Sequence, residues 1–250
     1  MKATIQHFGK TYIIDLSRPI DISICMKNGP ENLTAWYCPP PRIEAVMTEK
    51  FTGDVSLGGA VNFRDIYFNP HGHGTHTECL GHIAKEKFTV TNCIRSFNMP
   101  AYLWSVEPEQ NAFGDRVIMP EQLAKMLFAL NDLRALIIRT IPNESSKTSR
   151  QYSNTNPPYI HPDAMRLLVG AGIEHLMIDT PSVDREEDGG ALEGHHIFWD
   201  YPDKPRTNCS ITELIFVPDY IEDGIYWLQL GIASFDNDAA PSRPILFEIL

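Results

Sequence analysis

Between residues 120 and 179 helix and strand signals alternate, and this stretch limits the possible folds more than any other part of the chain. Pro120 opens PEQLAKMLFAL, with proline at a first helical position. RALIIRT, 134–140, is a continuous apolar run of the length of a buried strand. HPDAMRLLVGAG, 161–172, has the pattern of a helix that starts near Pro162 and stops at Gly170 or Gly172. HLMID, 175–179, is the next strand. Strands separated by helices predict a small α/β layer. Further strands are expected at TYIIDL (11–16), VNFRDIYF (61–68) and AYLWSV (101–106), and in the C-terminal segments SITELIFV, GIYWLQLGIASF and PILFEIL. Residues 19–60 are broken by Pro and Gly. No repeat and no low-complexity linker divides the chain. The expectation is one mixed α/β domain over residues 1–250, with a largely antiparallel β core beside the α/β layer.

The charge balance sets limits on partners. With 21 basic and 32 acidic residues the formal net charge is −11. That argues against nucleic acid and against an anionic membrane surface, both of which call for a basic face. No apolar stretch approaches the length of a membrane span, and the N-terminus lacks the apolar core of a secretory signal. Five cysteines, an odd number without a CxxC pair, suit a reducing compartment, so a cytoplasmic location is expected.

The chemistry concentrates in one place. Four of nine histidines, His71, His73, His76 and His82, fall within twelve residues of PHGHGTHTECLGH, together with Glu78 and Cys79. Chance would place about half of one there. Imidazole plus carboxylate is the ligand set of catalytic zinc or manganese sites. Gly72 and Gly74 let the backbone turn so that nearby imidazoles converge. In extended backbone His76 and Glu78 share a face. Two distant segments can complete such a site: the adjacent His195 and His196, and Glu213, which lies in an apolar strand pattern where burial demands a partner. The acidic run from Asp184 to Asp188 reads as mostly solvated loop.

Several chemistries lack their signatures. There is no GxSxG elbow, no phosphate loop, no strand-GxGxxG-helix unit and no HExxH. His71, His73 and Glu78 match the first metal motif of cupins, but no second cupin motif follows, and the α/β layer does not suit a jelly roll.

The stretch Gly74-Thr75-His76, with Glu78 and His82, resembles the H-x-G-T-H-x-D-x-P-x-H signature of the metal-dependent cyclase/hydrolase family that includes bacterial kynurenine formamidase. The resemblance extends to Ile14-Asp15-Leu16-Ser17, Trp36, the Ile178–Asp184 stretch, His195, Glu213 and the Phe235–Arg243 ending. It therefore covers residues 12–250 with its motifs in order. Three departures stand out. Gly72 occupies the family's first histidine position, with His71 and His73 on either side; Glu78 replaces an Asp; and the interval from His195 to Glu213 is lengthened.

The resemblance implies a swivelling β/β/α fold and metal-dependent hydrolysis of an amide C–N bond. The type reaction, in tryptophan catabolism, converts N-formylkynurenine to kynurenine and formate. It implies one or two divalent ions, Zn or Mn. His71 or His73, with His71 favoured at its strand end, would join His76 and Glu78 on the first. Glu78, His195 and Glu213 would hold the second. His82 is implied as proton shuttle, Trp36 as an apolar wall for a small-molecule substrate, and a homo-dimer or homo-tetramer as the assembly. Alternatives are hydrolysis of an isatin-type cyclic amide or lactone, a cupin-like metal enzyme, and a non-catalytic metal-binding relative.

Overall fold

The computed structural model describes residues 1–130 and 133–250. Its main sheet contains β1 (Ile20–Asp21), β2 (His76–Glu78), β3 (Asn98–Val106), β4 (Ala135–Thr140), β5 (His175–Ile178), β6 (Ser210–Glu213), β7 (Gly224–Ile232) and β8 (Ala239–Glu248). The order is β7, β3, β4, β5, β6, β2, β8, and β8 pairs back onto β7. Seven strands thus close a barrel, and β1 attaches to β8 from outside the ring. Within the ring long β8 serves two neighbours: Ala239–Pro241 lies on β2, and Ser242–Glu248 on β7.

The wall is mixed. β3, β4, β5 and β6 run parallel to one another, and the remaining neighbours are antiparallel. Parallel neighbours need crossover connections, and helices supply them. These are α2 (Pro120–Leu130), α3 (Pro162–Gly170) and α4 (Glu193–Trp199); a one-turn helix, α1 (Pro70–His73), precedes β2. The expected α/β layer is therefore part of the barrel wall itself. A jelly roll is built from antiparallel strands, so the parallel run removes the cupin-like alternative.

The apolar run in β4 has a direct cause. Leu136 and Ile138 face outward into a cluster with Leu123, Leu168, Phe198 and Trp199 from the helices. Ala135 and Ile137 face inward against Leu103, Met177 and Leu230. A strand covered on both faces is apolar along its middle, and the polar Arg139 and Thr140 at its end are buried only because each is hydrogen-bonded. Each large apolar side chain buried this way contributes roughly 1.5–3 kcal/mol.

The segment expected at 11–16 forms the strand Lys10–Asp15, paired with Lys2–His7, and its Ile14 is buried beside Trp227 and Phe247. The strand expected over 210–217 stops at Glu213, because Leu214 takes a left-handed conformation with φ 54°. The strand expected over 61–68 is Arg64–Tyr67, and it lies outside the barrel. It pairs with Arg42–Ala45, and Met47–Thr48 pairs with Phe51–Thr52, so residues 42–67 form a separate β arm. Among the described residues, no helix is long and apolar enough to cross a membrane.

Candidate metal centre

The site starts from strand register. In β2, His76 and Glu78 are two apart and share a face. β2 lies between β6 and β8, with Glu213 opposite His76 on one side and Ala239 opposite Glu78 on the other. Directly opposed residues place their side chains side by side. Oε2 of Glu213 consequently sits 3.4 Å from Nε2 of His76, and all three polar side chains are buried.

His71 comes from α1. Asn69 caps this turn, accepting from the His71 N–H at 2.9 Å, and Pro70 occupies a first-turn position. Nδ1 of His71 lies 3.2 Å from Oε2 of Glu78, and Nε2 lies 3.0 Å from Oδ2 of Asp238. Gly72 permits a close approach of the loop that carries Trp36: a Cβ there would stand 2.8 Å from the Cys38 sulfur and 3.1 Å from the Ala35 carbonyl oxygen.

His195 arrives on α4. Asp184 accepts from the backbone N–H groups of Gly194 and His195, satisfying two donors of the helix N-terminus. The same carboxylate meets Nδ1 of His195 at 2.5 Å, which turns Nε2 toward Oε1 of Glu78 at 3.0 Å and Oε1 of Glu213 at 3.8 Å. His82 closes the group. Its Nδ1 is 3.3 Å from Oδ2 of Asp238, and its ring centre is 4.4 Å from that of His71 and 5.3 Å from that of His195.

Ligand atoms of imidazole and carboxylate crowd together here. His76 donates from Nδ1 to the Gly74 carbonyl at 3.0 Å, which leaves Nε2 as a lone pair facing Glu213. Among the described residues, Nε2 of His76 and Oε2 of Glu78 are buried and make no well-aligned hydrogen bond, although the His71 imidazole stands 3.2 Å from Oε2. Buried polar atoms of this kind call for an explanation, and a cation is the simplest one. Three overlapping sets of ligand atoms lie within 4.8 Å of one another: His71, His76 and Glu78; His71, His82 and Asp238; and Glu78, His82 and His195. The donor types and convergence fit a divalent ion.

The field is strong. Burial disfavours charge on His71, yet Asp238 and Glu78 outweigh it and push its pKa up to about 10. Burial opposes charge on His195 as well, but Asp184 and Glu78 hold its proton well above the usual range. Glu78 is held well below the usual carboxylate range by His82, His195 and His71, although burial acts the other way.

Two of the expected histidines lie elsewhere. His73 accepts from the Asn69 N–H at Nδ1 and donates from Nε2 to the Pro39 carbonyl, each at 2.8 Å, so both its nitrogens are used by main chain. Nδ1 of His196 points to the Tyr201 carbonyl at 3.0 Å. His71 and His195 are the members of these two pairs that enter the cluster. Trp36 lines the cavity over it, as do His71, His82, Ser182, His195 and Glu213, and the volume is about 440 Å³. Sequence reasoning gives Asp238 no role and treats Asp184 as part of a solvated run. Asp184 is 8% exposed. Both residues fall within stretches that carry the family resemblance, and position in those stretches is the signal that marks them.

No curated protein matches the sequence. Among solved structures, a predicted metal-dependent hydrolase from Bacillus stearothermophilus superimposes with a TM-score of 0.61 at 16% identity, covering 92% of this chain and 98% of that one. Isatin hydrolase A from Labrenzia aggregata gives 0.67 at 15% identity, covering 92% and 93%. Isatin hydrolase A from Ralstonia solanacearum gives 0.66 at 14%, covering 92% and 91%. At these identities the likeness is one of fold. The Cyclase family model matches residues 14–185, more than half of the sequence, and the chain belongs to that family.

Proposed function

We propose that this protein is a metal-dependent hydrolase of an aromatic amide C–N bond. The observation that carries this reading is the convergence of buried ligand atoms: Nε2 of His76, which makes no hydrogen bond among the described residues, and Oε2 of Glu78, which has only the His71 and His82 imidazoles beside it, with Glu213 facing His76. His71, His76 and Glu78 would hold one divalent ion, Zn or Mn, and Glu78, His195 and Glu213 would hold a second. Bound there, the ion supplies Lewis acidity, which makes water a nucleophile near neutral pH and polarises a carbonyl.

The chain's own groups do the rest. Asp184 fixes the orientation of His195, so that Nε2 faces Glu78 and Glu213, where it would serve as a ligand. His82 donates from Nδ1 to Asp238, and its Nε2 has no hydrogen-bond partner among the described residues. Nε2 is therefore the atom that takes a proton from water and returns it to the leaving nitrogen. Trp36 offers an apolar face to an aromatic ring. A cavity of about 440 Å³ has the size of a small-molecule site.

Two substrate classes suit this arrangement. An N-formyl aryl amide is the family's type substrate. A cyclic aryl amide of the isatin kind is favoured by the structural likeness to isatin hydrolases. The deciding experiment compares hydrolysis of a formyl anilide and of isatin by metal-free, Zn²⁺-loaded and Mn²⁺-loaded protein. Metal-dependent turnover of either supports the proposal. Tight metal binding with no turnover of amides or lactones would leave a non-catalytic metal-binding protein in its place.

A further inference from the structure

A small cavity of about 70 Å³ lies where β4 and β5 end. Thr140 closes β4, Asp179 and Thr180 follow β5, and the two strands run parallel. Ligands of α/β sheets bind at the carboxyl ends of parallel strands, where the departing loops leave a crevice. Glu213 ends the next parallel strand, β6, so the metal centre and this cavity share one end of the barrel. They are separate spaces, and among the described residues none lines both.

The walls carry Arg116, Lys147 and Arg150 against Glu144 and Asp179, a net of +1 in a chain whose net is −11. Lys147 is matched. It is 6% exposed, and its Nζ has four acceptors: the Thr140 carbonyl and hydroxyl, Asn143 and Asp179. Arg150 is matched in part. One terminal nitrogen reaches Glu144 at 3.1 Å and Ser146 at 2.9 Å, and the guanidinium lies 5.7 Å over the Tyr152 ring. Its other nitrogens have no acceptor among the described residues. Arg116 differs from both. It is half-buried in the short strand Arg116–Ile118, and its guanidinium has neither acceptor nor ion pair among the described residues. Five N–H donors drawn partly out of water are costly to leave unused.

We infer that this cavity binds a small oxoanion between the guanidinium groups of Arg116 and Arg150. A planar fork of N–H groups matches two oxygens of a carboxylate or a phosphate, and charge strengthens each bond. Size sets the class of ligand. At about 30 Å³ per water the space equals roughly two waters, which suits a free oxoanion and is too small for an aromatic ring. An aromatic substrate of the metal centre is therefore not its ligand. Two sources share this chemistry. One is inorganic phosphate. The other is formate, which hydrolysis of an N-formyl amide releases; that source alone rests on the activity proposed above.

The test measures binding and not turnover, so it stands apart from the proposed activity. Sodium phosphate and sodium formate are titrated calorimetrically into the full chain at fixed ionic strength. Saturable binding of at least one of them is expected at concentrations up to on the order of 10 mM. Arg116→Gln removes the unmatched guanidinium and should weaken that binding roughly 10–100-fold. His76→Ala, which disrupts the metal centre, should leave it unchanged, whereas an anion held by a metal ion would be lost in that variant. The tighter of the two anions identifies the source. No saturable binding of either anion, wild-type affinity in folded Arg116→Gln, or loss of binding in folded His76→Ala overturns the inference. If Arg116→Gln fails to fold, Arg150→Gln puts the same question with the cavity's other guanidinium.

Discussion

Nδ1 of His195 lies 2.5 Å from Oδ2 of Asp184, and Asp184 also accepts from the first N–H groups of α4. One carboxylate thus holds both the helix start and the imidazole proton. A histidine ligand whose other nitrogen donates to a carboxylate is fixed in tautomer and is a better electron-pair donor. Asp184→Asn keeps the shape and removes the charge. Divalent-metal affinity should fall roughly 10–100-fold, measured by competition with a chromophoric chelator. Unchanged affinity would take Asp184 out of the site's support.

His76 and His82 separate binding from proton transfer. His76 is fully buried with its lone pair toward Glu213, and His82 is partly open at the cavity. His76→Ala should lose bound metal and turnover together. His82→Ala should keep its metal while kcat drops by roughly 10²–10⁴. Elemental analysis beside steady-state kinetics tells the two apart. Full metal content in the first variant, or normal turnover in the second, contradicts the assignment.

Which parts of this were legible in sequence follows from period and distance. His76 and Glu78 could be placed on one face because a strand repeats every two residues. The crossover helices could be placed because Pro120 and Pro162 mark their first turns. The choice between His71 and His73 could not be made from extended backbone. In the helical turn that forms, residues two apart point about 200° from each other, so one imidazole enters the cluster and the other turns to Pro39. Asp184 was hidden by its neighbours: four acidic residues within five look solvated, and only packing against α4 buries this one. Barrel closure depends on β8 bending from β2 onto β7, a long-range event with no local signature.

Glycine substitutions test the loop that carries Trp36. At Gly72 a new Cβ meets the Cys38 sulfur and the Ala35 carbonyl, and the loop must move. Gly72→Ala should cost about 1–3 kcal/mol in denaturant unfolding and raise KM for an aromatic substrate. At Gly170, the last residue of α3, a Cβ meets nothing within 4 Å. Gly170→Ala should stabilise by about 0.5–1 kcal/mol. Equal stability of the two variants would mean that the 35–38 loop does not press on Gly72.

Lys147 and Asp179 form a buried pair at the ends of β4 and β5. Nζ of Lys147 reaches Oδ2 of Asp179 at 2.8 Å and the Thr140 carbonyl at 2.7 Å, while Asp179 also accepts from the Thr140 N–H and hydroxyl. Removing one partner leaves a buried charge uncompensated. Lys147→Met should cost about 3–5 kcal/mol, and Lys147→Met with Asp179→Leu should recover a large part of it. A double variant as unstable as the sum of both single variants would mean that the pair does not act as a unit.

His175 supplies a pH dependence away from the metal ligands. It is buried at the start of β5, its Nδ1 2.9 Å from the Ser210 hydroxyl, and burial pushes its pKa down to about 4. In the unfolded chain the ring takes up a proton near 6.5, whereas in the fold it does so only near 4. Between those values the unfolded state binds more protons, so stability is fully present above about 6.5 and falls as the pH drops toward 4. At 1.36 kcal/mol per unit the loss reaches about 3 kcal/mol. His175→Gln keeps a hydrogen-bonding side chain and cannot titrate. The difference in urea unfolding free energy between wild type and variant should therefore change by up to about 3 kcal/mol across this window, in the variant's favour at low pH. Parallel pH profiles would show that the His175 proton does not distinguish the folded from the unfolded chain.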